Sequence, residues 1–540
     1  MTTEELLQKV RDELGDNEEA KLYHKFRVRD EGKPYIPDYH FSSPGGYLND
    51  PCGYCYYKGV YHLFYQFCPE QTDKSGWGHA VSVDMIHWID LPAAVMPTVE
   101  TECGSGGALV EDDRVILCYQ GNMQGKPCGA IHLAESTDDL LINWTRLSKK
   151  PIITTYNEDG TRNPYNAFDP YMWKDGDTYF LLSAGGGSLP HDSIDKDERA
   201  FRRLYLFCSK NLEDWEYCHE FLENDSFADI GDDGACPYLL DIGNGKHIIL
   251  HFSHMSGGQY IIGKYDREKK KFYAEKGGAF NRNAWYSGTH APSAFADSDG
   301  TVHAIFNINY GFMRGAENQI MSLPRTFKLD EVGNLLTAPD GDFESLRYDG
   351  VSKIDFYVPE NVETPLPGVS GKALEIKMTV DTPEKRNDVP IFIPTNNIPV
   401  FELRVLASPD GQEYTAVRFF RNRSKMNWDA YVERGIYKSS PPQWADATNS
   451  VVEVDTSHST LSADVAIHPT ESQEFYTSPD EPIELHVFVD KSIVEVFAGD
   501  KKCISVRTYP TLPDSTGVTV MSRGVGVNIS YEAWKMKKNR

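Results

Sequence analysis

Apolar and polar residues alternate in short runs along most of the chain rather than in helical stripes. YHLFYQ (61–66), RVILCYQ (114–120), AIHLAES (130–136), TYFLLSA (178–184), RLYLFCS (203–209), HIILHFS (247–253), QYIIGKY (259–265) and VHAIFNI (302–308) are rich in β-branched and aromatic residues, with turn residues between them. That is the signature of short strands. The N-terminal stretch differs: Leu6, Leu7, Val10 and Leu14 recur at helical spacing and predict a short amphipathic helix at the margin of the first domain.

Three segments share a finer pattern: SVDMIHW ending at Trp88, STDDLLINW ending at Trp144 and SKNLEDW ending at Trp215. In each, a serine closes one strand, a polar turn follows and a tryptophan opens the next. Irregular repetition of a multi-stranded unit with an aromatic anchor points to the blades of a β-propeller; a large sandwich with coincidental Trp spacing is the alternative. Pro- and Gly-rich text near 340–372 then separates a second β-rich half, ALEIKMTV, EYTAVRFF, IELHVFVDKSIVEVFAG, CISVRTYP and GVTVMS. Within it, Asp490-Lys491-Ser492 reads as a hairpin turn between alternating strands, and a β-sandwich is the simplest architecture. The expected division is a helical extension over 1–38, a propeller over 39–345, a linker over 346–371 and a sandwich over 372–540.

A length of 540 residues fits two or three domains. With 80 acidic against 54 basic residues, the net charge of -26 disfavours nucleic acid and anionic membrane surfaces as partners. The N-terminus has no apolar core of signal-peptide length, so a cytoplasmic protein is expected unless a leader was removed. Ten scattered cysteines read as buried thiols, and the lone Cys52-x-x-Cys55 pair lacks the second pair of a zinc ribbon.

Chemistry gathers where strands begin. Asp50 in YLNDPCG precedes a proline and has Asn49 beside it to orient a carboxylate; Asp169 in NAFDPYMWKDG also precedes a proline and a strand. Two such units entering blades would face one axial funnel. Paired carboxylates with neutral, aromatic surroundings suggest carbohydrate chemistry, where one carboxylate attacks or stabilises and an acid protonates the leaving oxygen. Trp77 and the Trp285-Tyr286 pair are candidates for covering sugar rings.

These segments carry a family resemblance. YLNDPCG resembles the N-D-P nucleophile motif of glycoside hydrolase family 32, the family of invertases, inulinases, levanases and related fructosyltransferases. HLFYQF with WGHAVSVDMIHW, CGSGGA (103–108), FDP (168–170), SLPRTFKL (322–329) and LHVFVDKSIVEVFAGDKKCISVRTYP (485–510) are similar to further family segments, in family order from about Tyr39 to Lys538. The resemblance implies an all-β chain, a five-bladed β-propeller followed by a C-terminal β-sandwich. It implies Asp50 as the nucleophile on C2 of a terminal β-D-fructofuranosyl unit, with retention through a covalent fructosyl-enzyme. Asp169 would stay ionised as the transition-state stabiliser, and Asn49, Gln66, Trp77 and Ser105 would line the fructose pocket. It implies a small-molecule carbohydrate partner such as sucrose or fructooligosaccharides and no metal or organic cofactor, and it allows a homodimer.

The departures are equally specific. Where the family has the acid/base glutamate of E-C-P, this chain has Ala235-Cys236-Pro237, and alanine donates no proton. An engineered replacement is the preferred reading, because the flanking Cys-Pro and strand remain. A natural fructoside-binding pseudoenzyme, or substitution by a neighbour such as Asp233, about 6 to 7 Å away on an extended segment, are the others. Phe168 stands where the family has arginine, and Gly104 and Gly107 where it more often has Phe and Ser, so the pocket walls should differ. The expectation is a β-fructofuranosidase or exo-fructanase impaired by Ala235, with fructosyl transfer as the nearest alternative.

Overall fold

The computed structural model describes residues 1–126, 128–185, 202–228, 231–281, 288–311, 318–381, 399–421, 448–477 and 481–539. Trp285 and Tyr286 lie outside the described residues. Two compact units emerge, one reaching from Met1 to Phe343 and the other spanning Glu344–Lys538.

The first unit is a five-bladed propeller. Its blades run Tyr47–Tyr57 to Ile89–Val95, Gly106–Val110 to Thr145–Arg146, Tyr171–Asp175 to Glu216–Glu220, Ala235–Gly243 to Lys271–Ala279, and Thr289–Ala296 to Leu335–Pro339. In each blade, four strands in chain order pair as antiparallel neighbours, with the short strand Ile320–Met321 of the fifth blade off that path. The first strand of every blade contacts the first strands of the blades on either side, and the first blade meets the fifth, so the ring closes. These inner strands carry near-continuous buried runs such as ACPYLL (235–240), because both of their faces are covered.

The Trp repeats have a structural cause. Trp88, Trp144 and Trp215 each stand directly before an outermost strand. The preceding turn is held by an Asx residue: Asp84 accepts from the amides of Ile86 and His87, Asp138 from those of Ile142 and Asn143, and Asn211 from those of Glu213 and Asp214. The Trp144 and Trp215 indoles then donate to the Leu141 and Leu212 carbonyls.

Two helices precede the propeller strands. Thr3–Leu14 starts at a capping box between Thr2 and Glu5 and buries Leu6 and Val10 among Val60, Val81, Leu91 and Leu140. Glu18–Asp30 is capped by Asn17 and tied to the first blade by a two-pronged Arg27–Asp90 pair at 2.8 and 2.7 Å.

The second unit is a sandwich of two six-stranded sheets around a core that includes Ile376, Leu403, Val417, Val452, Val487 and Val496. Asp490 pairs with Ile493 across the expected turn. The expected linker over 346–371 is corrected: Arg347–Val358 pairs with Val527–Met536, and Thr364–Ser370 with Gly517–Arg523. Both are edge strands, the one place where Pro365 and Pro367 are tolerated without costing a ladder hydrogen bond.

Candidate active site

Asp50 lies in the first inner strand, at an irregularity in register between Leu48 and Pro51. Its carboxylate is gripped from two other blades. Ser105, just ahead of the second inner strand, donates to Oδ2 at 2.6 Å, and Asn307 of the fifth blade donates to Oδ1 at 3.2 Å. Ser105 in turn accepts from Gln66 at 2.6 Å, and Gln66 accepts from Asn49 at 2.8 Å. Asn49 accepts from Gln319 at 2.6 Å, which itself accepts from Asn307 at 2.6 Å. The six side chains form a closed hydrogen-bonded ring through blades one, two and five, and such a ring fixes every amide rotamer by its neighbours.

Asp169, separated from the third inner strand by Pro170 alone, has φ +42, and Cys236 lies in the fourth inner strand with φ +50. These left-handed conformations are costly for non-glycine residues and are held by the surrounding structure. For Cys236 the local cause is a bulge between Ala235 and Tyr238. Together they bring the Cys236 Sγ to 3.4 Å from Asp169 Oδ2 and 3.9 Å from Asp50 Oδ2. One thiol therefore touches both carboxylates.

The buried Tyr238 ties the inner strands of several blades together. Its hydroxyl donates to the Gly106 carbonyl at 2.8 Å, accepts from the Gly53 amide at 3.2 Å and shares a 2.8 Å bond with Ser293. Blades one, two, four and five meet at that oxygen. Gly106 has no alternative there, since a Cβ would fall 1.9 Å from the Cys118 carbonyl.

Burial raises the Asp50 carboxyl above its ordinary value, against the lowering effects of the Ser105 bond, the His254 charge and the Asn307 bond. Asp169 is pushed up to about 7, first by burial and then by the neighbouring Asp50 charge. Burial and the Asp50 charge thus both oppose the ionised state expected of Asp169, since two carboxylates in one desolvated site do not both ionise cheaply. Burial also pushes the Cys236 thiol well above its usual range, with Asp169 and Asp50 adding to the effect.

The sequence-expected residues divide. Asp50, Asn49, Gln66 and Ser105 are brought into one network, with Asp169 joined through Cys236. Trp77 is corrected: it is 0 % exposed, and its indole donates to the Gly104 carbonyl at 2.7 Å. It props the Gly104–Ser105 backbone from behind and presents no face to a ligand. Ala235 is fully buried with Cys236, Phe252 and Ala291, and Phe168 packs against that cluster. The two departures thus form one apolar patch beside the carboxylates. Sequence reasoning missed Asn307, Gln319, Cys236, Tyr238 and His254. For the first two, the available signal was a polar residue inside a strand-like apolar run, VHAIFNI, and one just before another, QIM.

Two family models match the chain: the Glycosyl hydrolases family 32 N-terminal domain over residues 40–339 and the Glycosyl hydrolases family 32 C terminal over 342–535. Among similar proteins, an insoluble β-fructofuranosidase isoenzyme of Arabidopsis thaliana is 26% identical, covering 94% of this chain and 91% of that protein. A fructan 6-exohydrolase of Beta vulgaris is 25% identical over 94% of this chain and 87% of its own length. Among solved structures, fructan 1-exohydrolase IIa of Cichorium intybus superposes with a TM-score of 0.75 at 20% identity, covering 94% of this chain and 98% of that one.

Proposed function

The chain belongs to glycoside hydrolase family 32, and from that premise we propose that it releases terminal β-D-fructofuranosyl units from sucrose or fructooligosaccharides. The observation that carries this reading is the polar ring holding Asp50 with Asp169 one thiol away. A nucleophilic carboxylate must be fixed in one orientation before it attacks, and three blades fix this one.

In the first half-reaction Asp50 attacks C2, the C2–O bond to the leaving sugar breaks, and a fructosyl-enzyme forms with inversion. Water attacks C2 in the second half, displaces the Asp50 carboxylate and restores the original configuration. Asp169 faces the same space and binds sugar hydroxyls as positive charge develops on the ring. Beside the carboxylates, the half-buried Phe168 gives the leaving group an apolar surface in place of a charged one, with Ala235 buried behind it.

An aryl β-D-fructofuranoside bearing a nitrophenol leaving group tests the nucleophile apart from any proton donor, because nitrophenolate departs unprotonated. The parent chain should release nitrophenol and Asp50→Asn should lose about 10³-fold or more. Equal rates for the two proteins would exclude Asp50. Product analysis with sucrose at high concentration separates hydrolysis from transfer.

A further inference from the structure

The reaction needs a proton on the leaving oxygen, and position 235 cannot supply it. One side-chain pair stands beside that gap. Ala235, the first residue of the inner strand, is paired across the ladder with Phe252, and the same register carried two positions beyond the strand sets Asp233 opposite His254. They are joined: the His254 amide donates to Asp233 Oδ1 at 3.3 Å, and its ring Nδ1 bonds Asp233 Oδ2. The Asp233 side chain is 5 % exposed, whereas that of His254 is 47 % exposed. A buried carboxylate thus orients an imidazole that remains open to solvent.

The pair is anchored from below. Asp232 accepts from Arg202 at 3.3 Å, from Ser256 at 2.8 Å and from Gln259 at 3.3 Å, fixing the 232–234 turn on one side and the 254–256 turn on the other. Arg202 is further committed to Asp225 by two bonds of 2.7 Å. The Phe252 ring meets the imidazole edge-on at 4.9 Å. The residue opposite Ala235 therefore supports His254 directly.

We propose that His254, oriented by Asp233, is the general acid and base of this enzyme in place of the missing carboxyl group, an inference that rests on the fructosidase reading above. In the first half-reaction the imidazolium gives its Nε2 proton to the leaving oxygen as that oxygen takes the electron pair of the C2–O bond. Nδ1–H stays on Asp233, and the ring becomes neutral. In the second half Nε2 takes a proton from the attacking water, so the imidazolium is regenerated as fructose leaves and Asp50 returns to its carboxylate. No other reactant is consumed.

The charges around the imidazole suit this role. Burial alone would lower its affinity for a proton, but the Asp233 bond and the charges of Asp233, Asp169 and Asp50 outweigh it and push His254 up to about 9. It is thus cationic at neutral pH, and its charge acts on both reacting carboxylates. The nearby His251 is driven the other way, kept neutral by burial and by Arg202. Cys236 holds its proton too tightly to donate it. Asp169 is the competing donor.

The test compares the parent chain with His254→Gln and Asp233→Asn on two kinds of substrate: sucrose or 1-kestose, whose leaving oxygen needs a proton, and the nitrophenyl fructoside, which does not. His254→Gln should lose about 10²- to 10⁴-fold in kcat/KM on the sugar substrate and under about 10-fold on the aryl fructoside. Asp233→Asn should move the basic limb of the kcat/KM profile to lower pH, and His254→Gln should abolish that limb. Equal losses on both substrates, no loss on either, or an unmoved basic limb would overturn the proposal and leave Asp169 as the donor. A parent chain inactive on the aryl fructoside as well would overturn the fructosidase reading first, and this proposal with it.

Discussion

Ser105 donates its hydroxyl to Asp50 across 2.6 Å and thereby joins the second blade to the buried carboxylate on the first. Because that bond favours the ionised carboxylate, it opposes the upward push of burial. Ser105→Ala should therefore raise the Asp50 carboxyl further and shift the acidic limb of kcat/KM to higher pH. Loss of a hydrogen bond to a charged group should lower the plateau by about 10- to 100-fold. The pH profile on the aryl fructoside measures both.

Asp169 makes the opposite kind of contribution to stability. Its folded-state carboxyl is held at about 7, above the ordinary 3.8, so between those values the native state binds more protons than the unfolded chain and stability falls as pH rises. Asp169→Asn should be inactive yet more stable than the parent above neutrality, by on the order of 2–4 kcal/mol. The gain should disappear below about pH 4, where both forms of the parent are protonated. Thermal unfolding from pH 4 to 8 decides it; a constant difference in Tm would refute the carboxylate conflict.

Phe168 and Ala235 should prove interdependent. Ala235→Glu alone forces a longer, charged side chain into the cluster of Phe252, Ala291 and Phe168 and should cost about 1–3 kcal/mol. Adding Phe168→Arg should recover stability, because a guanidinium can pair with the new carboxylate. Additive costs in denaturant titrations of the two single variants and the double variant would show that the residues act separately. A single exchange of glutamate for alanine accounts for one residue of this patch and leaves Phe168 unexplained.

Tyr238 tests the closure of the ring. Tyr238→Phe removes the oxygen shared by Gly53, Gly106 and Ser293 and leaves buried partners unsatisfied. A loss of about 1–3 kcal/mol is expected, together with reduced activity, since Gly53 and Gly106 flank the Asp50 and Ser105 segments. Unchanged stability would mean that strand packing alone closes the propeller.

Much of the architecture was legible because strands declare themselves locally. The eight strand-like runs of the first half all form strands, and the three Trp repeats mark the entry to outer strands in three successive blades. The region of residues 346–371 was misread because prolines suppress strand character in sequence but are harmless on a sheet edge. Trp77 was misread for a different reason: a motif reports that a residue matters near a site, and burial decides whether it touches ligand or holds the loop that does.

Alternation of side chains at a period of two, turn residues and ordered motifs determined by themselves that this is an all-β chain and singled out Asp50 and Asp169 as its candidate carboxylates. Those signals reach only a few residues along the chain. Asn307 lies 257 positions from the Asp50 it orients, and Cys236 lies 186 positions from Asp50; no local pattern links them. Ring closure of five inner strands put them together, and the desolvation it produced moved the carboxyl groups away from their ordinary values. The Asp233–His254 pair stands beside an alanine through the register of one hairpin in the fourth blade, so the proposed proton donor follows from which side chains the fold places together and not from which motif was kept.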